Sequence, residues 1–140
     1  MRTSSLVRVL AIALGSLPLI LAAPANAASP FSVAGVWAAT GNQTLGPLVI
    51  AQAASAAECK PLTGSIFAAT NQIRGFYCPE TGRIVFMRHN SVGTPIQLYE
   101  GQVARDAAVD RMGGNFHIWN AAGGGLANEG PDYNFSATRP

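Results

Sequence analysis

Short runs in which apolar and polar residues alternate, or in which β-branched residues dominate, recur at intervals of roughly a dozen residues between clusters of Gly, Pro, Asn and Asp. That period-2 signal predicts eight strands, near residues 33–40, 46–53, 62–69, 72–78, 83–89, 95–104, 111–120 and 133–138. The clearest is Arg83-Ile84-Val85-Phe86-Met87-Arg88, which follows the turn Pro79-Glu80-Thr81-Gly82 and meets the next breaker too soon to be a helix. Two stretches compete as helices. Ile50 to Glu58 is alanine-rich, and Val103 to Arg111 carries Asp106 and Asp110 without an apolar stripe, so both read as connections between strands.

Gly35, Gly64, Gly75, Gly101, Gly113 and Gly114 fall inside the predicted strands, which weakens a flat sheet and suits one that bends or bulges. Consecutive short strands with short connections form a meander most economically, because sequential strands usually pair. The expected fold is therefore all-β: an eight-stranded antiparallel up-and-down barrel, whose interior is filled by side chains or holds one small ligand. Closure also removes exposed sheet edges. A Greek-key sandwich is the alternative and needs a long crossover connection that this chain barely offers.

The amino terminus changes the composition that matters. Arg2 and Arg8 form a positive region, Val9 to Ala23 an apolar one, and Ala25-Asn26-Ala27 places small residues where a signal peptidase reads. Residues 1–27 are thus expected to be a signal peptide cleaved before Ala28, leaving residues 28–140 as a single domain that is secreted or periplasmic. An uncleaved anchor is the alternative, but the apolar run is short of the ~20 residues that span a bilayer. No membrane association is expected after cleavage. Without Arg2 and Arg8, the nine basic residues become seven, against seven acidic ones, and no cationic stripe remains to bind nucleic acid.

Cys59 and Cys78 enter an oxidising compartment, where an even count favours a disulfide. They flank a predicted hairpin with its turn near Ala68 to Gln72, so antiparallel pairing brings their neighbourhoods together. Two buried thiols or a redox pair are the rival readings, and C-x-x-C spacing is absent. His89 and His117 lie on different predicted strands, so no metal site is expected. No Gly-x-Ser-x-Gly elbow occurs, Glu100 and Asp132 make no recognisable acid pair, and Gly123-Gly124-Gly125 lacks the Lys of a phosphate loop. Neither an enzyme nor a cofactor is expected.

The motifs Gly35-Val36-Trp37, Leu62-Thr63-Gly64-Ser65, Gly75-Phe76-Tyr77, Tyr99-Glu100-Gly101-Gln102 and Gly130-Pro131-Asp132-Tyr133-Asn134-Phe135 follow one another along nearly all of residues 28–140. In order and spacing this resembles the avidin and streptavidin barrels. The resemblance implies a ligand-binding mouth, with biotin as the leading named ligand. It also implies a homo-oligomer, an expectation that the 11% charged composition supports. By the same resemblance Asp132, Tyr99 and Phe116 match ligand-contacting positions, and Asn42, Gln43 and Thr44 stand near the first loop, where the family supplies further polar groups. Ile66, Ala68 and Met87 replace family groups that hydrogen-bond or stack on biotin, which implies weakened affinity. Trp37 reads as a plug at the closed end. Three function classes follow: a small-ligand binder, an exported structural or interaction barrel with a filled interior, and, last, a barrel enzyme using His89 or His117.

Overall fold

A strand that buries one face needs an apolar side chain at every second position, and the folded chain obeys that rule around a closed ring. The computed structural model describes residues 31–105, 108–120, 122–126 and 133–139; the expected signal peptide lies outside them. The strands are β1 (Gly35–Gly41), β2 (Thr44–Gln52), β3 (Lys60–Ile66), β4 (Ala68–Cys78), β5 (Arg83–His89), β6 (Pro95–Ala104), β7 (Asp110–Asn120), β8 (Gly125–Leu126) and β9 (Tyr133–Arg139). Strands β1 to β7 pair antiparallel in sequence order, and β9 pairs with both β7 and β1. The result is the expected eight-stranded meander barrel. Strand β8 is a two-residue ribbon against the end of β7, Trp119 opposite Leu126, where the sequence suggested only a glycine-rich connection. Among the described residues there is no helix.

One hairpin departs from its expected form. The chain reverses at Phe67, not across Ala68 to Gln72, and the register shifts so that Ile66 faces Ala68 while Ser65 faces Gln72. Residues 69–71 are accommodated as a bulge in β4. The polar run Thr70-Asn71-Gln72 resembles a turn in composition. What decides the reversal is Phe67: its N–H donates to the Pro47 carbonyl at 2.7 Å, and its ring covers Gly41 and Gly46.

Inside, Trp37, Leu48, Ile50, Leu62, Ile66, Ile73, Tyr77, Ile84, Phe86, Tyr99, Met112, Phe116, Phe135 and Ala137 form one buried cluster. Each large aliphatic or aromatic side chain among them contributes about 1.5–3 kcal/mol by leaving water. Gly101 and Gly114 face one another across β6 and β7, and a Cβ at Gly101 would stand 3.0 Å from the Phe135 ring. A Cβ at Gly101 would also meet the Gly113 carbonyl oxygen, and one at Gly114 the Glu100 carbonyl oxygen, so these glycines let adjacent backbones approach as well as leaving space beside Phe135. Gly64 adds backbone strain to the same close approach. Its φ of 152° lies where L side chains are strained, and a Cβ there would overlap the Val49 carbonyl oxygen of the neighbouring strand.

One end of the barrel is sealed. The Trp37 indole N–H donates to the Val33 carbonyl at 2.9 Å, and the Arg139 guanidinium lies 4.4 Å over the Trp37 ring. Arg139 also binds Asp110 Oδ2 through Nη2 at 2.7 Å and Nε at 3.2 Å, and donates to the Ser32 and Ala34 carbonyls. Trp37 is therefore the plug that the sequence suggested. The Cys59–Cys78 disulfide, also as expected, ties the β2–β3 connection to the end of β4. With a sequence separation of 19 it stabilises by roughly 3 kcal/mol on a chain-entropy argument.

Two glycine substitutions separate close packing from backbone strain. Gly64→Ala is expected to cost about 3 kcal/mol or more, because strain and overlap add. Gly93→Ala, at φ 84° with nothing within 4 Å of its Cβ, is expected to cost only about 1–2 kcal/mol. Urea unfolding of both variants checks the order; equal losses would contradict the close approach at Gly64.

Candidate functional site

At the other end the interior rises to a wall of stacked rings. Phe86, Tyr99, Phe116 and Tyr133 occupy facing positions on β5, β6, β7 and β9, so ordinary cross-strand register lines them up. Successive ring centroids are 4.7, 4.8 and 5.0 Å apart, with interplanar angles of 11°, 20° and 19°. Phe135 stands edge-on to Phe86 at 6.0 Å and to Tyr99 at 5.3 Å. Each such pair is worth about 0.5–1.5 kcal/mol beyond burial.

Over this stack lies a cavity of about 210 Å³. Its floor is Tyr99 and Phe116; Phe67, Ile118 and Tyr133 supply apolar sides; Gly41, Asn42 and Thr44 form the β1–β2 side. Arg88 and Gln97 also line it. Gln97 Oε1 accepts from Arg88 Nη1 at 2.7 Å and from the Tyr99 hydroxyl at 3.1 Å. The Arg88 guanidinium carbon lies 5.7 Å from the Phe67 ring centre, within cation–π range. Arg88 Nε is buried and has no hydrogen-bond partner. A buried donor left unsatisfied costs about 1–3 kcal/mol, which an acceptor drawn in beside the guanidinium would offset.

Burial pushes the Tyr99 phenol above its ordinary range, and the nearby Arg88 charge opposes that shift. Tyr77, toward the sealed end, is also raised, by burial first and by the Asp110 carboxylate second. Neither phenol is set up as a base at neutral pH.

Of the expected site residues, Asn42, Tyr99 and Phe116 come together in this cavity. Gln43 sits exposed in the two-residue turn beside Asn42 and does not line it. Asp132 lies outside the described residues; its neighbour Tyr133 does line the cavity. Ile66 is buried in the core and Ala68 is exposed. Met87 is on the outer face of β5, because Ile84 and Phe86 are buried inside and Arg88 enters the mouth. The β5 residue that enters the mouth is therefore Arg88. Thr44, which stands beside Asn42 and Gln43 in the first loop, lines it too, whereas Phe67, Arg88, Gln97, Ile118 and Tyr133 were not anticipated. Arg88 had a readable signal, since Ile84, Phe86 and Arg88 share one face at period 2.

Two other hollows deserve comparison. A larger one, about 550 Å³, lies on the outer wall over β1, β2 and β9, against Val36, Leu45, Pro47 and Thr138, and no charged side chain lines it. Another, about 220 Å³, adjoins Arg74, His89 and Asn90 on the outside. His89 and His117 are on separate strands, and among the described residues no group of His, Cys, Asp and Glu could hold a metal ion. Comparison of the chain with known protein-family models, curated proteins and solved structures finds no match. The functional reading thus rests on this chain's own residues.

The raised phenols predict an alkaline weakness. The unfolded chain ionises Tyr77 and Tyr99 near pH 10, whereas the folded barrel keeps them protonated, so stability is full below about pH 10 and falls as pH rises through the raised values. Thermal melts from pH 8 to 11 should show that fall, reduced in Tyr99→Phe. Phenolate absorbance from both tyrosines near pH 10 in the still-folded protein would contradict it.

Proposed function

We propose that this protein is an exported, non-enzymatic barrel that binds one small molecule in its open mouth. The observation that supports this is the mouth cavity itself: an aromatic floor, a convergent set of polar groups and a buried donor without an acceptor. Ligand pockets combine a mostly apolar lining with few polar groups in this way. The volume is below the ~300–1,000 Å³ usual for drug-sized ligands, so the mouth suits a single ring or a comparable group, with any remainder in solvent. Biotin stays the first named compound to titrate, on the strength of the avidin resemblance. Its binding should be weak, because neither Ile66 nor Ala68 brings a polar side chain to the mouth and each unpaired ligand group costs about 1–3 kcal/mol.

A second reading concerns partners. The outer faces of β1, β2 and β9 carry Val36, Ala38, Thr40, Leu45, Pro47, Val49, Ser136 and Thr138, with Val36 62% and Leu45 77% exposed. An uncharged, largely apolar wall is one that a second copy of the barrel can cover, and near-zero net charge puts little repulsion in the way. This wall supports a homo-oligomer and is compatible with a ligand in the mouth.

Two measurements test these readings. In amide-resolved NMR with biotin and a panel of ring-sized fragments, binders should shift residues 42–44, 88, 97, 118 and 133. If no compound moves those signals, the mouth reading fails and the filled interaction barrel replaces it. Sedimentation at micromolar protein should show a dimer or larger, dissociated by Val36→Glu with Leu45→Lys. A wild-type monomer would refute the oligomer.

A further inference from the structure

We infer that the group taken into the mouth is a carboxylate, held by the Arg88 guanidinium while the ligand's apolar body rests on Tyr99 and Phe116. This rests on the mouth being the binding site and adds the chemical class of what enters it. Arg88 is the one charged side chain among the described residues that line the cavity. Other described acids are engaged or placed elsewhere: Glu100 pairs with Arg83 on the outer wall, and Asp110 pairs with Arg139 at the sealed end.

The hydrogen-bond pattern points to the class. Guanidinium offers five donors in a planar fork, so Arg88 brings several N–H groups to one place and a buried one seeks an acceptor. Gln97 takes one Nη1 donor and thereby holds the group in place, since the same oxygen is also bound by the Tyr99 hydroxyl. Nε remains buried and unsatisfied. A carboxylate is the small acceptor whose geometry matches such a fork, and charge-assisted bonds of this kind are about twice as strong as neutral ones. A phosphate dianion fits less well, because among the described residues Arg88 is the one cation lining the cavity and the aromatic floor is better covered by a ring.

The test uses benzoate and its neutral isostere benzamide on the full mature protein, followed by calorimetry and amide NMR. Benzoate should bind in the mouth about ten-fold or more tighter than benzamide, and Arg88→Gln should erase that preference by lowering benzoate affinity far more than benzamide affinity. In the unmutated protein the Arg88 Nε–H proton should move downfield with benzoate and not with benzamide, a readout that survives if Arg88→Gln fails to fold. If both probes shift the mouth amides equally, the binding site stands and the carboxylate inference is overturned. If the preference persists in Arg88→Gln, Arg88 is not the recognising group and the inference is also overturned. If neither probe reaches the mouth at concentrations where other ring-sized fragments do, the inference falls alone; if no fragment does, the mouth reading falls with it.

Discussion

Pairing of β9 with both β7 and β1 is the contact on which the rest of the molecule depends. Without it β1 to β7 are an open sheet with two bare edges. β9 also brings the pieces that complete each layer of the core. Tyr133 is the last ring of the stack, Phe135 stands edge-on beneath it, Ala137 is buried below, and Arg139 locks the far end. Closure, aromatic filling and end-sealing are thus one event in energetic terms, and their cooperativity follows from a shared strand.

The two ends of the barrel differ through two arginines with opposite degrees of satisfaction. Arg139 is only partly exposed, at 19%, and uses its donors on Asp110 and on two carbonyls of the segment before β1, while its face covers Trp37. Such a group is a clamp: removing either partner would leave a charge with poor solvation. Arg88 has a glutamine oxygen, a phenyl face and one buried N–H with nothing to bind. Within one small barrel, the contrast separates an arginine that completes structure from one with a buried donor left over.

Much of this was readable in advance. Alternation and turn residues located all eight barrel strands, and the glycines inside them foretold closeness of approach, as Gly64 and the Gly101–Gly114 pair demonstrate. The disulfide was legible in the even cysteine count and in the hairpin that the two cysteines flank. The hairpin reversal did not, because a left-handed Phe67 with φ 64° is set by its ring packing and one long-range N–H bond, neither of which leaves a local sequence mark. At the mouth, resemblance found Asn42, Tyr99 and Phe116 but directed attention to Met87, one residue from the inward-facing Arg88. On a strand, a slip of one residue changes the face, and with it the chemistry.

Closure by β9 is therefore the claim to measure, and native-state amide hydrogen exchange addresses it strand by strand. If the ring is closed, the ladder amides of β1 and β9, together with the Asn42 N–H that reaches the Asn134 carbonyl at 2.9 Å, exchange as slowly as those of the central β3–β4 pair, through global unfolding. If β9 amides facing β1 exchange at rates near those of an unprotected peptide while β3 and β4 stay protected, the sheet is open. The ring stack, the sealed end and the mouth would then lose their common basis.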